Sequence, residues 1–202
     1  LSKDRNSAAS VATIVDPNTP QGKAMLTPLL TSRIPALRCE ALALLAKSPE
    51  HLKRQLLKLT ESTDAQVLFA ALNTMVNHQV RAAGPGLIRL VESEGFVSRP
   101  RDQQQKLFKT LWSLNSERGE AVLISVIEQM HGLMADEIVD RTRSLAAEVL
   151  SEHASSDAAL EALANATRRR PWNTPDLRAA AAKAIECIEE RLAEQDGQED
   201  EA

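Results

Sequence analysis

Apolar residues recur at helical spacing through almost all of the chain between residues 21 and 192. One such set, at i, i+3, i+4, i+7 and i+8, consists of Leu68, Ala71, Leu72, Met75 and Val76. These positions fall on one stripe of a helix, and no convincing run of period-two alternation is present. Because such stripes are buried by packing helix on helix, we predict an all-α protein.

The composition favours helices over strands. Of the 202 residues, 43% are hydrophobic but only 2% are aromatic, and Tyr is absent. Strands favour β-branched and aromatic residues, whereas the dominant Ala and Leu are the strongest helix formers. The formal net charge is −4, which argues against general nucleic-acid binding.

Helix-start and helix-stop residues divide this pattern into ten predicted helices. Their predicted ranges are 21–30, 35–47, 50–60, 64–79, 85–94, 101–115, 118–131, 137–152, 156–169 and 175–194. Thr174 and Pro175 are suited to the cap and first turn of the last helix, and Asp64 and Asp140 are predicted to open two others. Gly119 is predicted to separate two helices.

The helices come in pairs, and the first helices of the pairs resemble one another. An apolar residue or Thr is followed four residues later by Ala at four places, which start at Leu37, Val67, Thr142 and Leu177. Arg directly follows the first residue in three of the four. With a weaker match anchored at Gln103, the spacings are 30, 36, 39 and 35 residues. A drifting period of this size is typical of solenoids built from two-helix units.

This pattern resembles HEAT repeats, which belong to the HEAT/armadillo-like α/α solenoids and are often found in bacterial scaffold and regulatory proteins. The resemblance covers roughly residues 21 to 192, and it rests on the Leu-Arg-x-x-Ala start and on shorter second helices such as 120–130. It implies an all-α, right-handed superhelix of about five HEAT-like helix pairs. The small Ala at a fixed place would let the paired helices approach closely.

Three segments are expected along the chain. Residues 1–20 are predicted to form a flexible linker, residues 21–194 the HEAT-like solenoid, and residues 195–202 an acidic, disordered tail. Because the first residue is Leu1 rather than Met, we expect a piece of a longer protein. The sequence has no signal-peptide pattern, no apolar run long enough to cross a bilayer and no disulfide framework, so we expect a cytoplasmic location without membrane contact.

None of the common catalytic or metal-binding motifs is present. The four histidines lie at four different predicted helix ends and lack metal-ligand spacing. The segment 84–86, Gly-Pro-Gly, matches neither a P-loop nor a dinucleotide fingerprint. Cys39 and Cys187 lie among apolar neighbours, where cysteine is usually a small core residue. We therefore predict no catalytic residue, no cofactor, no metal and no enzymatic activity.

Two long connections between helix pairs are rich in Arg and aromatic residues, the types enriched at binding hot spots. Connections between pairs emerge on one edge of a solenoid, so these side chains are expected to share a surface. The predicted partner-binding residues are Phe96, Arg99, Arg101, Arg169, Arg170 and Trp172. Two alternatives are that Trp172 merely seals the core and that the concave face of second helices binds the partner.

We predict a non-enzymatic protein–protein interaction or scaffold module with a protein partner. The alternative is a nucleic-acid-binding or DNA-repair protein similar to the alkyl-purine DNA glycosylases, which resemble this architecture. That family holds DNA on a basic face with tryptophans, whereas Trp112 here is predicted to lie in a core setting. Residues 1–60 nevertheless carry nine Lys or Arg against four Asp or Glu, which would allow local phosphate contact. HEAT-repeat bilin lyases also resemble this architecture, but no functional residue of theirs matches a position here.

Overall fold

Every regular element in the computed structural model is a helix. The structure describes residues 16–17, 19–46, 52–129 and 136–199, and no strand occurs within these ranges. The prediction of an all-α protein is therefore confirmed. Backbone contacts divide the chain into two compact units, one up to Leu90 (unit 1) and one from Val91 onward (unit 2).

Ten α-helices lie in the described part of the chain, as many as the sequence predicts. They are α1 (Pro20–Leu26), α2 (Pro35–Leu45), α3 (Lys53–Leu59), α4 (Ala65–Asn77), α5 (Gly84–Val91), α6 (Arg101–Leu114), α7 (Ser116–Glu128), α8 (Glu137–His153), α9 (Asp157–Thr167) and α10 (Pro175–Glu199). Two 3₁₀ turns, Thr27–Thr31 and Arg81–Ala83, precede α2 and α5.

Capping side chains fix several of the helix starts. As predicted, the Asp64 carboxylate accepts a hydrogen bond from the Val67 N–H at 3.1 Å, and the Thr174 hydroxyl accepts one from the Leu177 N–H at 3.3 Å. Asp140 does not open a helix. Asp136 caps α8 instead, because its carboxylate accepts from the first free N–H groups of that helix, and Asp140 lies buried in the first turn.

In unit 1, α2 and α4 pack against each other, and α3 lies against α4. The 3₁₀ turn after α1 packs on α2. Leu42, Leu68, Leu72 and Met75 are each at most 1% exposed and form the centre of this core. The predicted stripe of α4 is thus its buried face.

In unit 2, the helices form two layers. The first helices α6, α8 and α10 contact one another in succession, and the second helices α7 and α9 contact each other beneath them. This packing, within the one unit, is the kind that stacked helix pairs produce. The right-handed superhelix of about five pairs along the whole chain stays a prediction.

The recurring Ala of the repeat pattern is buried in both units. Ala41 is 2% exposed, and Ala71, Ala146 and Ala181 are 0% exposed. Gly119 lets α7 approach α6 closely, because a Cβ at this position would lie only 2.8 Å from the Cα of Trp112 on α6. It lies inside α7, which begins after the cap Asn115, so the prediction that Gly119 separates two helices is wrong.

The last helix runs to Glu199, five residues past its predicted end at 194. The sequence Ala-Glu-Gln at 193–195 consists of strong helix formers, and no proline interrupts it. Residues 200–202 of the predicted tail and residues 1–15 of the predicted linker lie outside the described residues. None of the described helices is long and apolar enough to cross a bilayer.

Candidate partner-binding edge

The connection between α9 and α10 carries three of the six predicted partner-binding residues. It leaves α9 at Arg168, turns through Pro171, and enters α10 at Pro175 after the Thr174 cap. The Asn173 N–H donates to the Arg170 carbonyl at 3.1 Å, which closes the turn. We call Arg168, Arg169, Arg170 and Trp172 the α9–α10 edge.

A buried arginine holds this connection from below. Arg143 on α8 is 4% exposed, and its Nε donates to the Ile127 carbonyl at 2.8 Å. Its Nη1 donates to the Asp140 carboxylate at 2.7 Å and to the main-chain carbonyl of Trp172 at 3.0 Å. Its Nη2 donates to the side-chain oxygen of Asn173 at 3.1 Å. The buried charge is thus paired and hydrogen-bonded, as burial of a guanidinium requires.

Asn173 and Asp140 extend this network to both neighbouring helix ends. The Asn173 side-chain amide, 7% exposed, donates to the carbonyls of Ala166 and Arg168, each at 3.1 Å. The Asp140 carboxylate accepts from the Thr174 N–H at 2.8 Å. Free carbonyls at the end of α9 and a free N–H at the start of α10 are therefore satisfied, and the main chain of the connection is fixed on both sides.

Two side chains of the edge, Arg170 and Trp172, line an open cleft together with Arg143 and Asn173 of this network. The Arg170 guanidinium lies 5.6 Å from the centre of the Trp172 ring, within cation–π range. Both side chains are half-buried, and Arg168 and Arg169 are exposed. The adjoining cleft has a volume of about 230 Å³ and is walled on its apolar side by Ile127, Ala162 and Ala166.

Phe96 does not lie on this surface. It is 1% exposed, and its ring packs on Phe108 with ring centres 5.3 Å apart. The Gln104 side chain donates to the carbonyls of Phe96 and Val97 at 2.9 and 3.1 Å, which draws this connection onto the core. Because it is almost fully buried, Phe96 is a core residue that a partner cannot reach. Burial of a large aromatic ring stabilises the fold.

Arg99 and Arg101 occupy different surroundings from the edge. The Arg99 N–H donates to the Phe96 carbonyl at 3.0 Å, within the same turn that buries Phe96. Arg101 is exposed and forms an ion pair with Glu148 of α8. A cleft of about 770 Å³ separates that pair from the start of α10, with Asp140 and Thr174 also in its wall. The structure thus brings the Arg170 and Trp172 side chains together, with exposed Arg169 next to them in the chain, and leaves Arg101 on the far side of this cleft from the start of α10.

Two other residues depart from their sequence interpretation. Trp112 is half-buried rather than enclosed in the core, and its ring stacks on His153 with ring centres 5.5 Å apart. The burial of Arg143, which follows Thr142 in the repeat pattern, was not predicted. Its place in that pattern does not indicate burial, because Arg38 and Arg178 at the same place are only half-buried.

Within the described residues, no group of three or more His, Cys, Asp or Glu side chains is placed to hold a metal ion. Comparisons with protein-family models, curated proteins and solved structures find no match for this chain. The HEAT resemblance therefore depends on the repeat pattern and stays a prediction.

Proposed function

We propose that this chain is a non-enzymatic protein–protein interaction module that binds its partner through the α9–α10 edge. The observation that carries the proposal is the Arg170–Trp172 pair, set beside exposed Arg169 on a connection anchored by buried Arg143. Trp and Arg are the residue types most enriched at binding hot spots. A large connection side chain that is only half-buried is also free to gain burial on binding.

The anchored main chain favours binding at this edge over binding at an ordinary loop. Ordering a flexible loop on association costs conformational entropy, and a loop already fixed avoids most of that cost. Here the carbonyl of Trp172 and the side chain of Asn173 are hydrogen-bonded to Arg143. The edge therefore presents its side chains from a rigid base.

The charge of the edge indicates the partner surface. Three consecutive guanidiniums, at residues 168–170, would face carboxylates, and the Trp172 ring would face an apolar side chain. The cleft beside Trp172 is open enough to admit such a side chain. We expect a partner patch with acidic residues around an apolar centre.

The proposal is tested by capture of proteins from a lysate of the native host on the immobilised full chain. Wild type is compared with Trp172→Ala, Arg169→Glu and the matched control Trp112→Ala, which truncates the other half-buried Trp. A specific partner should be retained by wild type and by Trp112→Ala, and reduced about tenfold or more by Trp172→Ala, as for a hot spot. Arg169→Glu should weaken binding of the partner, mainly by lowering an association rate that depends on salt concentration.

Thermal melting of the same variants separates binding from stability. If Trp172→Ala melts like wild type and retains the same proteins, the edge is not the binding surface, and the face formed by the second helices becomes the alternative. If the chain binds duplex or single-stranded probes at low salt and no protein, the nucleic-acid alternative replaces the proposal.

A further inference from the structure

Unit 1 contains a basic cleft that is separate from the α9–α10 edge. Its volume is about 520 Å³, and it opens between the 3₁₀ turn Thr27–Thr31 and α3. Arg38, Arg54 and Lys58 line it, with Glu61 as the one acidic residue among the lining residues. Buried Leu30 and Leu59 form its apolar floor.

Two buried polar atoms of this cleft have no hydrogen-bond partner. They are Nε of Arg38, a donor, and Oε1 of Gln55, an acceptor. Buried polar atoms in folded proteins are almost always bonded, so each unpartnered atom calls for a specific explanation. Both side chains line the cleft, so a ligand that carries an acceptor and a donor would satisfy the two atoms once the side chains turn toward it.

The chain itself shows what satisfies an arginine at this position of the repeat. Arg38 and Arg143 both directly follow the first residue of the repeat pattern. Arg143 donates through Nε and Nη1 to the main-chain carbonyls of Ile127 and Trp172. Arg38 forms one long bond, from Nη1 to the Ser62 hydroxyl at 3.3 Å, and its Nε forms none. Arg143 thus shows that a main-chain carbonyl can accept from an Nε at this position, whereas the Nε of Arg178, the third such arginine, has no partner, as in Arg38.

We propose that this cleft binds an extended acidic peptide segment of a partner protein. A main-chain carbonyl of the peptide accepts from Arg38 Nε, and a main-chain N–H donates to Gln55 Oε1. Its carboxylates pair with Arg54 and Lys58, which are exposed and form no ion pair with any residue that the structure describes. The inference does not depend on the α9–α10 edge.

The cleft fits a peptide better than a nucleic acid. A phosphodiester offers acceptors only, so it would leave Gln55 Oε1 unpaired. Base stacking needs exposed aromatic rings, and the one aromatic residue in the described part of unit 1, Phe69, does not line the cleft. An acidic peptide supplies the donor, the acceptor and the negative charge together.

The test is an ¹H–¹⁵N NMR titration of the full chain with acetylated, amidated octaglutamate. We expect saturable shifts of the Arg38 Nε–H and Gln55 side-chain signals. The variant Arg54→Gln/Lys58→Gln should weaken binding about tenfold or more, as loss of two charge-assisted bonds implies. The matched control Lys53→Gln removes an exposed lysine of the same helix that does not line the cleft, and it should change affinity less than about twofold.

Several results would overturn the inference. These are no saturable shift at Arg38 or Gln55, equal binding of octaglutamine, or equal weakening by Lys53→Gln, which would show only general charge attraction. Tighter binding of a single-stranded oligonucleotide at the same signals would assign the cleft to nucleic acid. Shifts on raising the protein concentration alone would assign it to a second copy of the chain. Trp172→Ala should leave the titration unchanged, so failure at the edge and failure at this cleft are distinguishable.

Discussion

At the scale of single residues, Arg143 does the most to shape the candidate binding edge. It joins three segments, because its guanidinium reaches the end of α7, the first turn of α8 and the connection after α9. Its partner Asp140 is 3% exposed and also holds the Thr174 N–H. The Arg143–Asp140 pair therefore has a structural role, which is to hold the main chain of Trp172 and Thr174 in place.

Arg143→Ala is expected to lower the free energy of unfolding by about 3–5 kcal/mol, because it leaves the Asp140 carboxylate buried without its counter-ion. Arg141→Ala, which removes an exposed guanidinium from the same helix, should change it by no more than about 0.5 kcal/mol. Denaturant unfolding monitored by circular dichroism measures both. Equal stability of the two variants would contradict the role assigned to Arg143.

Cys39 provides a titration that reports on the start of α4. Burial raises the pKa of its thiol, the Asp64 carboxylate raises it further, and Arg38 partly offsets both. Since the thiolate is the reactive form, alkylation of Cys39 should follow a pH curve with its midpoint above the ordinary value for cysteine. Asp64→Asn should move the midpoint down, because it removes the negative charge while Asn remains a good N-cap.

The measurement for this prediction is the iodoacetamide rate at Cys39 as a function of pH, read by peptide mass spectrometry. Because two cysteines are present, it is made on Cys187→Ser. A midpoint that stays in place or rises in Asp64→Asn would contradict the electrostatic assignment.

The sequence predicts side chains that act within their own helix better than those that act across connections. The Asp64 and Thr174 side chains each accept from an N–H three residues further along the chain, so both caps depend on neighbouring sequence alone, and both predictions are confirmed. The burial of Phe96 depends on the Gln104 side chain and the Phe108 ring, which approach only after the connection folds back. Helical periodicity carries no information about such a contact.

At the scale of helices, the number of elements follows from periodicity, but their ends depend on packing. Gly119 shows the difference. Glycine ordinarily suggests a break between helices, yet here it lies within α7, where the backbone of α6 leaves no room for a Cβ. The sequence pattern alone does not distinguish a glycine that ends a helix from one that allows two helices to touch.

Gly119→Ala should lower the free energy of unfolding by about 1–3 kcal/mol, the usual cost of overpacking. The overlap is with backbone atoms of Trp112, which cannot move aside as a flexible side chain can. Gly95→Ala is the matched control, because a Cβ there meets no atom within 4 Å apart from its chain neighbours and no proline follows it. Denaturant unfolding should show Gly95→Ala near neutral, and a neutral Gly119→Ala would contradict the close approach of α6 and α7.

At the scale of the whole molecule, the all-α class was predictable because Ala and Leu at helical spacing leave no alternative for burying the apolar stripes. The pairing of helices could also be predicted from the sequence repeat, and the two layers of helices within unit 2 fit that pattern. The two units seen in the contacts were not predicted, because the repeat anchors at Val67 and Gln103 lie on either side of their boundary at a spacing that an unbroken repeat would also give. The charge does change there, since residues 1–90 carry 11 Lys or Arg against 6 Asp or Glu and residues 91–202 carry 13 against 22.

The central claim is that Trp172 meets a protein partner, and single-tryptophan fluorescence tests it most directly. The chain has two tryptophans, so Trp112→Phe leaves Trp172 as the only emitter, and Trp172→Phe leaves Trp112. With the captured partner made free of tryptophan, its addition should shift the emission of Trp172 to shorter wavelength as the half-buried ring loses water, while the emission of Trp112 stays unchanged. Emission of Trp172 that does not change at saturating partner, or a shift confined to Trp112, would contradict the account.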